Sequence, residues 1–392
     1  MLKNGRIKIS FQTLEYDMKI GILTLKLGDN YGGILQNYAL QLFLKEMGKD
    51  PFTFLIEKKL SWRVKLSSYL YRCFRVYILR DKIPLRVWRK KDEDEIICQN
   101  MYRFISQNIT MTEEIRFADL YLYSKKIDAV IVGSDQVWRY KYVANIEEYF
   151  LKSFVSGDLK RIAYAASFGV DKWEFPLRQT RRCAKLAHTF QAISVRESNG
   201  VEFCKQYMGV KAVHLLDPTM LLKQSAYISL VEKDKVPESK GNLLVYILDQ
   251  SKDKEKILDF MKSRMDLIPF TVMPAKRFEN VGSKQLDQCV YPSVTTWLRG
   301  FMDAKYVVTD SFHGTVFSII FNKPFIAIGN KQRGLMRFVS LLKTFGLEER
   351  LIYSSDQLTE ELLKSPINFE EINRIHDSER FRAMNFLHKV LD

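Results

Sequence analysis

Short apolar runs rich in β-branched residues recur along this chain, with helical stretches between most of them. They fall at residues 19–25 (KIGILTL), 129–132 (AVIV), 162–166 (IAYAA), 193–195 and 213–216. Strands that alternate with helices pair in parallel through βαβ crossovers, so the pattern confines the chain to an α/β architecture. It also says where to look for a site, because ligands of such sheets gather beyond the carboxyl ends of the strands. After the first run, KLGDNYGG leads into Ile34, Leu35, Tyr38, Ala39, Leu42 and Phe43, spaced by three and four as on an amphipathic helix.

A second series opens at residues 243–248. It continues with 306–309 (YVVT), a helix over 313–321, the turn Asn322, Lys323 and Pro324, and 325–328 (FIAI). The polar stretch 232–241 (EKDKVPESKG) separates the two series. The expectation is therefore two domains, residues 1–235 and 236–392, a division that a length of 392 residues also favours. The first carries a basic insertion near 58–100, and a helix at 370–391 packs back onto it. Residues 1–17 have no clear periodicity, and the interval between the first helix and Ala129 lacks the alternating pattern.

Hydrophobic content of 46% with 27% charged residues is that of an ordinary globular protein. The five cysteines (Cys73, Cys98, Cys183, Cys204 and Cys289) are scattered and never spaced as CxxC, which argues against a disulfide framework or zinc site and fits a cytoplasmic protein. No apolar run approaches the roughly 18 residues needed to cross a bilayer, and the polar start lacks a signal-peptide core. A net charge of +15 attracts phosphorylated ligands, nucleic acid or an anionic membrane.

Much of that charge lies in residues 58–91, where Lys58, Lys59, Arg63, Lys65, Arg72, Arg75, Arg80, Lys82, Arg86, Arg89, Lys90 and Lys91 oppose only Asp81. Trp62, Tyr69, Tyr71, Phe74, Tyr77, Ile78, Leu79 and Trp88 are interleaved. Such a stretch is suited to an anionic membrane surface, where each nearby cation adds on the order of 1 kcal/mol, and equally to a solvated helical insertion. No RRM, helix-turn-helix or finger pattern is present, so nucleic acid is not expected as a partner.

Chemistry-bearing residues cluster where strands end. GDNYGG (28–33) joins a strand to a helix without matching a Rossmann or P-loop fingerprint. GSDQVW (133–138) puts Asp135 at a strand end, as a catalytic carboxylate or, with Ser134, as a helix cap. YAASFG (164–169) and SVRE (194–197) end two more strands. Arg196 offers a fork for a carboxylate or phosphate, or a partner for Glu197. Asp217, in DPTMLL, reads as a turn or cap. TDSFHGTVFS (309–318) is the sharpest, since His313 and Gly314 stand at a helix start, where an anion is favoured and an imidazole can donate a proton. His188, His214, His376 and His388 lie in no such setting and read as structural. No metal-ligand spacing or GxSxG occurs.

In this order and spacing, DNYGGILQNYALQ, VGSDQVW, YAASFG, SVRE, DPTMLL and TDSFHGTVFSIIFNKPF resemble the polysaccharide pyruvyl transferase family, over roughly residues 18–345. The resemblance implies a GT-B-like fold, two Rossmann-like domains facing across a cleft. It implies transfer of pyruvate from phosphoenolpyruvate, as co-substrate without cofactor or metal, to sugar hydroxyls. The product is a pyruvate ketal on a bacterial capsule, an exopolysaccharide or a lipid-linked oligosaccharide precursor, made by a cytoplasmic enzyme, peripheral on the inner face of the membrane if residues 58–91 dock there. It implies catalytic roles for His313, Asp135 and Arg196. Binding roles follow for Asn30, Tyr31, Gly32, Gly33, Ser134, Gln136, Ser167, Phe168, Asp310, Ser311 and Gly314. One departure stands out: many members carry arginine two residues before the histidine, where this chain has Ser311, so either Arg299, Lys331, Arg333 or Arg337 supplies the charge or the donor is a different one. The alternatives are a GT-B glycosyltransferase using a nucleotide sugar, because HGTxxSxxFxKP overlaps with that group, and a basic membrane- or nucleic-acid-binding module.

Overall fold

The computed structural model describes residues 18–57, 62–81, 83–154, 158–330 and 334–392. Residues 1–17 and the side chains expected of Lys58, Lys59, Lys82, Lys331 and Arg333 lie outside them. Strands β1 (Lys19–Leu23), β2 (Asp50–Ile56), β3 (Met111–Ile115), β4 (Ala129–Val132), β5 (Lys160–Ala166), β6 (Ala192–Val195) and β7 (Val213–His214) pair in parallel in the order β3-β2-β1-β4-β5-β6-β7. Strands β8 (Leu243–Tyr246), β9 (Pro269–Phe270), β10 (Tyr306–Thr309), β11 (Phe325–Ile328) and β12 (Leu351–Ile352) form a second parallel sheet, β12-β11-β10-β8-β9.

Each sheet reverses its winding once, the first between β1 and β4 and the second between β8 and β10. At such a switch point neighbouring crossover helices lie on opposite faces and the loops beyond the strand ends part into a crevice. Loops from both switch points border one cleft of about 1080 Å³, lined by Asp29 and Asn30 after β1, Asp135 and Gln136 after β4, Ile247 and Leu248 after β8, and Asp310 to His313 after β10.

The interval that lacks an alternating pattern contains two strands, β2 and β3. Their signals are weak for opposite reasons. In β2 (DPFTFLI), Phe52, Thr53, Phe54 and Ile56 are all buried, giving a short continuous run rather than an alternation. β3 (MTEEI) is a polar edge strand with two exposed glutamates. The described basic residues of this stretch therefore sit between two strands of the first sheet, on the helix Trp62–Tyr77 and the segment after it.

The helix Phe369–Leu391 returns to the first sheet. Ala383, Leu387 and Leu391 are buried in one cluster with Ile20, Ile22 and Leu40, and His376 Nε2 lies 2.8 Å from Met220 O. The two halves also meet directly at the start of the helix Tyr31–Glu46. Tyr31 stacks on Trp297 with ring centroids 5.4 Å apart and donates its hydroxyl to Pro292 O at 2.7 Å. An aromatic pair of this kind adds roughly 0.5–1.5 kcal/mol beyond area burial.

Candidate active site

Every residue of the Phe312–Ile320 helix (FHGTVFSII) is buried, its polar members His313, Thr315 and Ser318 included, so its position is fixed by packing on all sides. Its start is fixed by Ser311, whose Oγ accepts from the Gly314 N–H at 3.3 Å, a cap contributing on the order of 1 kcal/mol. Gly314 is required by proximity, since a Cβ there would lie 2.2 Å from Thr309 Oγ1. Asp310 points back into its own half, accepting from the Leu248 and Asp249 N–H groups and from Lys254 Nζ at 2.6 Å. It thus shapes the loop after β8.

Across the cleft, Arg196 follows β6 with its side chain almost fully buried. Its Nη1 donates to Asp217 Oδ2 at 2.7 Å and its Nη2 to Asp135 Oδ1 at 3.2 Å, while Nε has no partner among the described residues. Ser134 Oγ joins this group, 3.2 Å from Asp217 Oδ2. Burial opposes ionisation of both carboxyls, yet Arg196 and then His313 hold Asp135 below, and His313 and then Arg196 hold Asp217 well below, the usual carboxylate range. Burial likewise opposes charge on Arg196, but Asp217 and Asp135 outweigh it and hold the guanidinium charged.

His313 completes the cluster from the second half. Its Nε2 is buried, lies 3.5 Å from Asp217 Oδ2, and makes no hydrogen bond among the described residues. Its Nδ1 abuts Gly32, where an added Cβ would fall at 1.9 Å, so only glycine lets the Tyr31–Glu46 helix start this close to the ring. Phe312 packs between two cations: Arg196 lies 4.7 Å and Arg337 5.1 Å from its ring centroid. Burial and the charge of Arg196 push the Arg337 guanidinium down to about 10.

The structure thus brings His313, Asp135, Arg196, Ser134, Gln136, Ser311 and Gly314 together with Asn30, Tyr31 and Gly32. Asn30 begins the Tyr31–Glu46 helix and lines the cleft, and Gly33 packs on its side chain. Phe168 lies apart, inside an aromatic cluster with Trp138, Trp173 and Phe203. Ser167 is fully buried, with its Oγ unpartnered among the described residues. Asp217 is a cap, accepting from the Thr219 N–H and hydroxyl through Oδ1, yet its other oxygen is the hub joining Arg196, Ser134 and His313. Glu197 does not pair with Arg196. It accepts from the Phe168 and Gly169 N–H groups and so holds the loop after β5. Arg299 pairs with Asp303 and does not line the cleft, whereas Arg337 does. Among the described residues no group of three or more His, Cys, Asp and Glu is placed to hold a metal ion.

The sequence profile of the polysaccharide pyruvyl transferase family matches residues 30–332. The chain belongs to this family. The matched span contains both halves of the cluster, from Tyr31 to His313, and ends five residues before Arg337. No curated protein matches the chain at the sequence level. Solved structures resemble it in fold. A glycosyltransferase from Rickettsia africae superposes at a TM-score of 0.50 with 11% identity, over 96% of this chain and 97% of that one. A UDP-GlcNAc 2-epimerase from Neisseria meningitidis superposes at 0.48 with 11% identity, over 95% and 99%. This pyruvyl transferase family member has a GT-B-like fold, two parallel-sheet α/β domains facing across the cleft that holds His313.

Proposed function

We propose that the enzyme moves the pyruvyl group of phosphoenolpyruvate onto two hydroxyls of a sugar, forming a cyclic ketal. The acceptor is a bacterial capsule or exopolysaccharide or its lipid-linked precursor, met at the inner face of the membrane. The observation that carries this reading is the gathering of Arg196, Arg337 and His313 around Phe312, at the first turn of a buried helix bordering the cleft. A donor bearing both a carboxylate and a phosphate needs cations and helix N–H groups together.

The chemistry assigns each residue a task. His313 delivers a proton to the methylene carbon of the enol phosphate, leaving an oxocarbenium-like C2, which one sugar oxygen attacks. Phosphate leaves with the electron pair of its C2–O bond and the second sugar oxygen closes the ring. Of the two hydroxyl protons displaced, one ends on the new methyl group and one on phosphate. Asp217, whose Oδ2 lies 3.5 Å from Nε2, orients the imidazole. The depressed pKa of Asp135 makes it a weak base, so it serves to accept a hydrogen bond from the attacking hydroxyl and to orient it.

Arg337 takes the place of the arginine that Ser311 replaces. Replacing Arg337 with methionine removes a charged hydrogen bond worth about 1.5–3 kcal/mol, so the KM for phosphoenolpyruvate should rise roughly 10–100-fold with kcat less affected. Steady-state kinetics in phosphoenolpyruvate check this, and an unchanged KM would exclude Arg337 from the donor site. Gly32→Ala tests the position of the imidazole. The new methyl must displace the ring, and a shift of about 1 Å costs on the order of 10²-fold in turnover. Wild-type turnover in a folded Gly32→Ala protein would show that the ring position is irrelevant.

A further inference from the structure

We propose that the Trp62–Tyr77 helix docks the enzyme on an anionic membrane surface by seating its outward apolar face among the lipids. Leu66, Leu70, Phe74 and Tyr77 recur at the spacing of one helical stripe, and they are 46%, 58%, 52% and 69% exposed. Ile78 and Leu79 continue the stripe beyond the helix, also exposed. The polar side faces the protein instead. Arg72 Nη1 donates to Pro84 O at 2.9 Å and to Glu279 O at 2.8 Å. A helix whose only role is to pack on its own domain turns the opposite way, with its apolar stripe inward. A contiguous apolar surface of this kind marks an interaction site.

Charge selects the occupant. Of the twelve Lys and Arg in residues 58–91, Arg75, Arg86 and Arg89 pair with Asp81, Glu93, and Asp29 and Asp94, whereas Arg80, at the apolar stripe's end, and Lys90 and Lys91 are exposed. A second copy of the chain would bring the same cations against themselves, whereas an anionic lipid surface accepts the apolar stripe and the cations together. No described helix is long and apolar enough to cross a membrane, so the contact is interfacial.

The location gives the contact a purpose. Glu279, which receives Arg72, lines the cleft together with Phe278, Asn280 and Val281. Arg86 from the same segment bonds Ser283 Oγ at 2.9 Å. The docking helix is thus pinned to the cleft wall, and a bound membrane presents a lipid-linked sugar beside the opening. That purpose rests on the lipid-linked acceptor of the proposed reaction, but the docking does not.

The test is co-sedimentation of the full chain with vesicles of phosphatidylglycerol and phosphatidylcholine, compared with phosphatidylcholine alone. Wild type should bind the anionic vesicles in a salt-sensitive way, and the double variant Leu70→Glu, Phe74→Glu should bind about tenfold or more weakly. Both positions are exposed, so the variant's thermal unfolding and its turnover of a soluble acceptor should match wild type. Equal vesicle binding by the variant, no binding by wild type, or a wild-type dimer that the variant converts to monomer without any lipid binding would each overturn the proposal. Absence of pyruvyl transfer in both proteins would count against the chemistry and leave the vesicle result standing.

Discussion

Replacing His313 with glutamine should lower the rate of ketal formation by roughly 10²–10⁴-fold while leaving the fold intact. The ring sits where the two halves of the molecule meet, with Nδ1 against Gly32 and Nε2 3.5 Å from Asp217 Oδ2 and without a hydrogen bond among the described residues. A buried ring nitrogen that makes no hydrogen bond is a cost that packing alone does not require. Glutamine keeps hydrogen-bonding capacity but cannot exchange a proton near neutral pH. Phosphate release from phosphoenolpyruvate in the presence of acceptor, with a thermal unfolding curve run in parallel, reads both halves of the prediction. A folded His313→Gln protein with near-normal turnover would remove the histidine from the mechanism.

Asp217→Asn should be the most damaging change to stability. The substitution keeps an acceptor for the Thr219 N–H but removes the charge facing Arg196, whose guanidinium is buried and, among the described residues, has Asp135 as its one other acidic partner in hydrogen-bond contact. Breaking a buried ion pair from one side costs about 3–5 kcal/mol, because the remaining charge stays desolvated. Urea unfolding should show it. The pH dependence follows from the direction of the shift. Asp217 and Asp135 are both depressed in the folded protein, so the unfolded chain takes up protons first as pH falls below about 4. Their contribution is complete above that pH and is lost through the acid range. The wild-type unfolding midpoint should therefore fall more steeply between pH 4 and pH 2 than that of Asp217→Asn, and parallel slopes would contradict the assignment.

The parts of the site visible in the sequence are those that local pattern determines. YVVT followed by DSFHGTVFS reads as a strand running into a helix, and the structure puts Ser311 at the cap and His313 in the first turn. The Asp-Pro pair reads as a cap, and Asp217 is one. What local pattern cannot carry is the second oxygen of that carboxylate, which meets Arg196 and Ser134 from 21 and 83 residues away. Gly32 likewise has no local reason to be glycine, since the atom that excludes a side chain belongs to His313 in the other half.

Arg196 shows how sequence neighbours mislead. Glu197 is adjacent, but in an extended strand end successive side chains point to opposite sides, so the two residues serve different loops. Among the arginines considered as replacements for the family residue, composition offered no ranking. The fold separates Arg299, tied to Asp303, from Arg337, buried against Phe312. The helix at residues 62–77 is similar: its apolar periodicity is plain, but which way the stripe faces depends on Arg72 anchoring the polar side.

The most direct test of the central claim is mass spectrometry of a sugar acceptor incubated with the purified protein and phosphoenolpyruvate, with phosphate measured alongside. The account predicts the gain of one pyruvyl unit per acceptor, as a ketal that consumes two hydroxyls, with one equivalent of phosphate released. An acceptor that stays unmodified with phosphoenolpyruvate yet gains a sugar from a nucleotide-sugar donor would contradict it and identify the cleft as that of a glycosyltransferase.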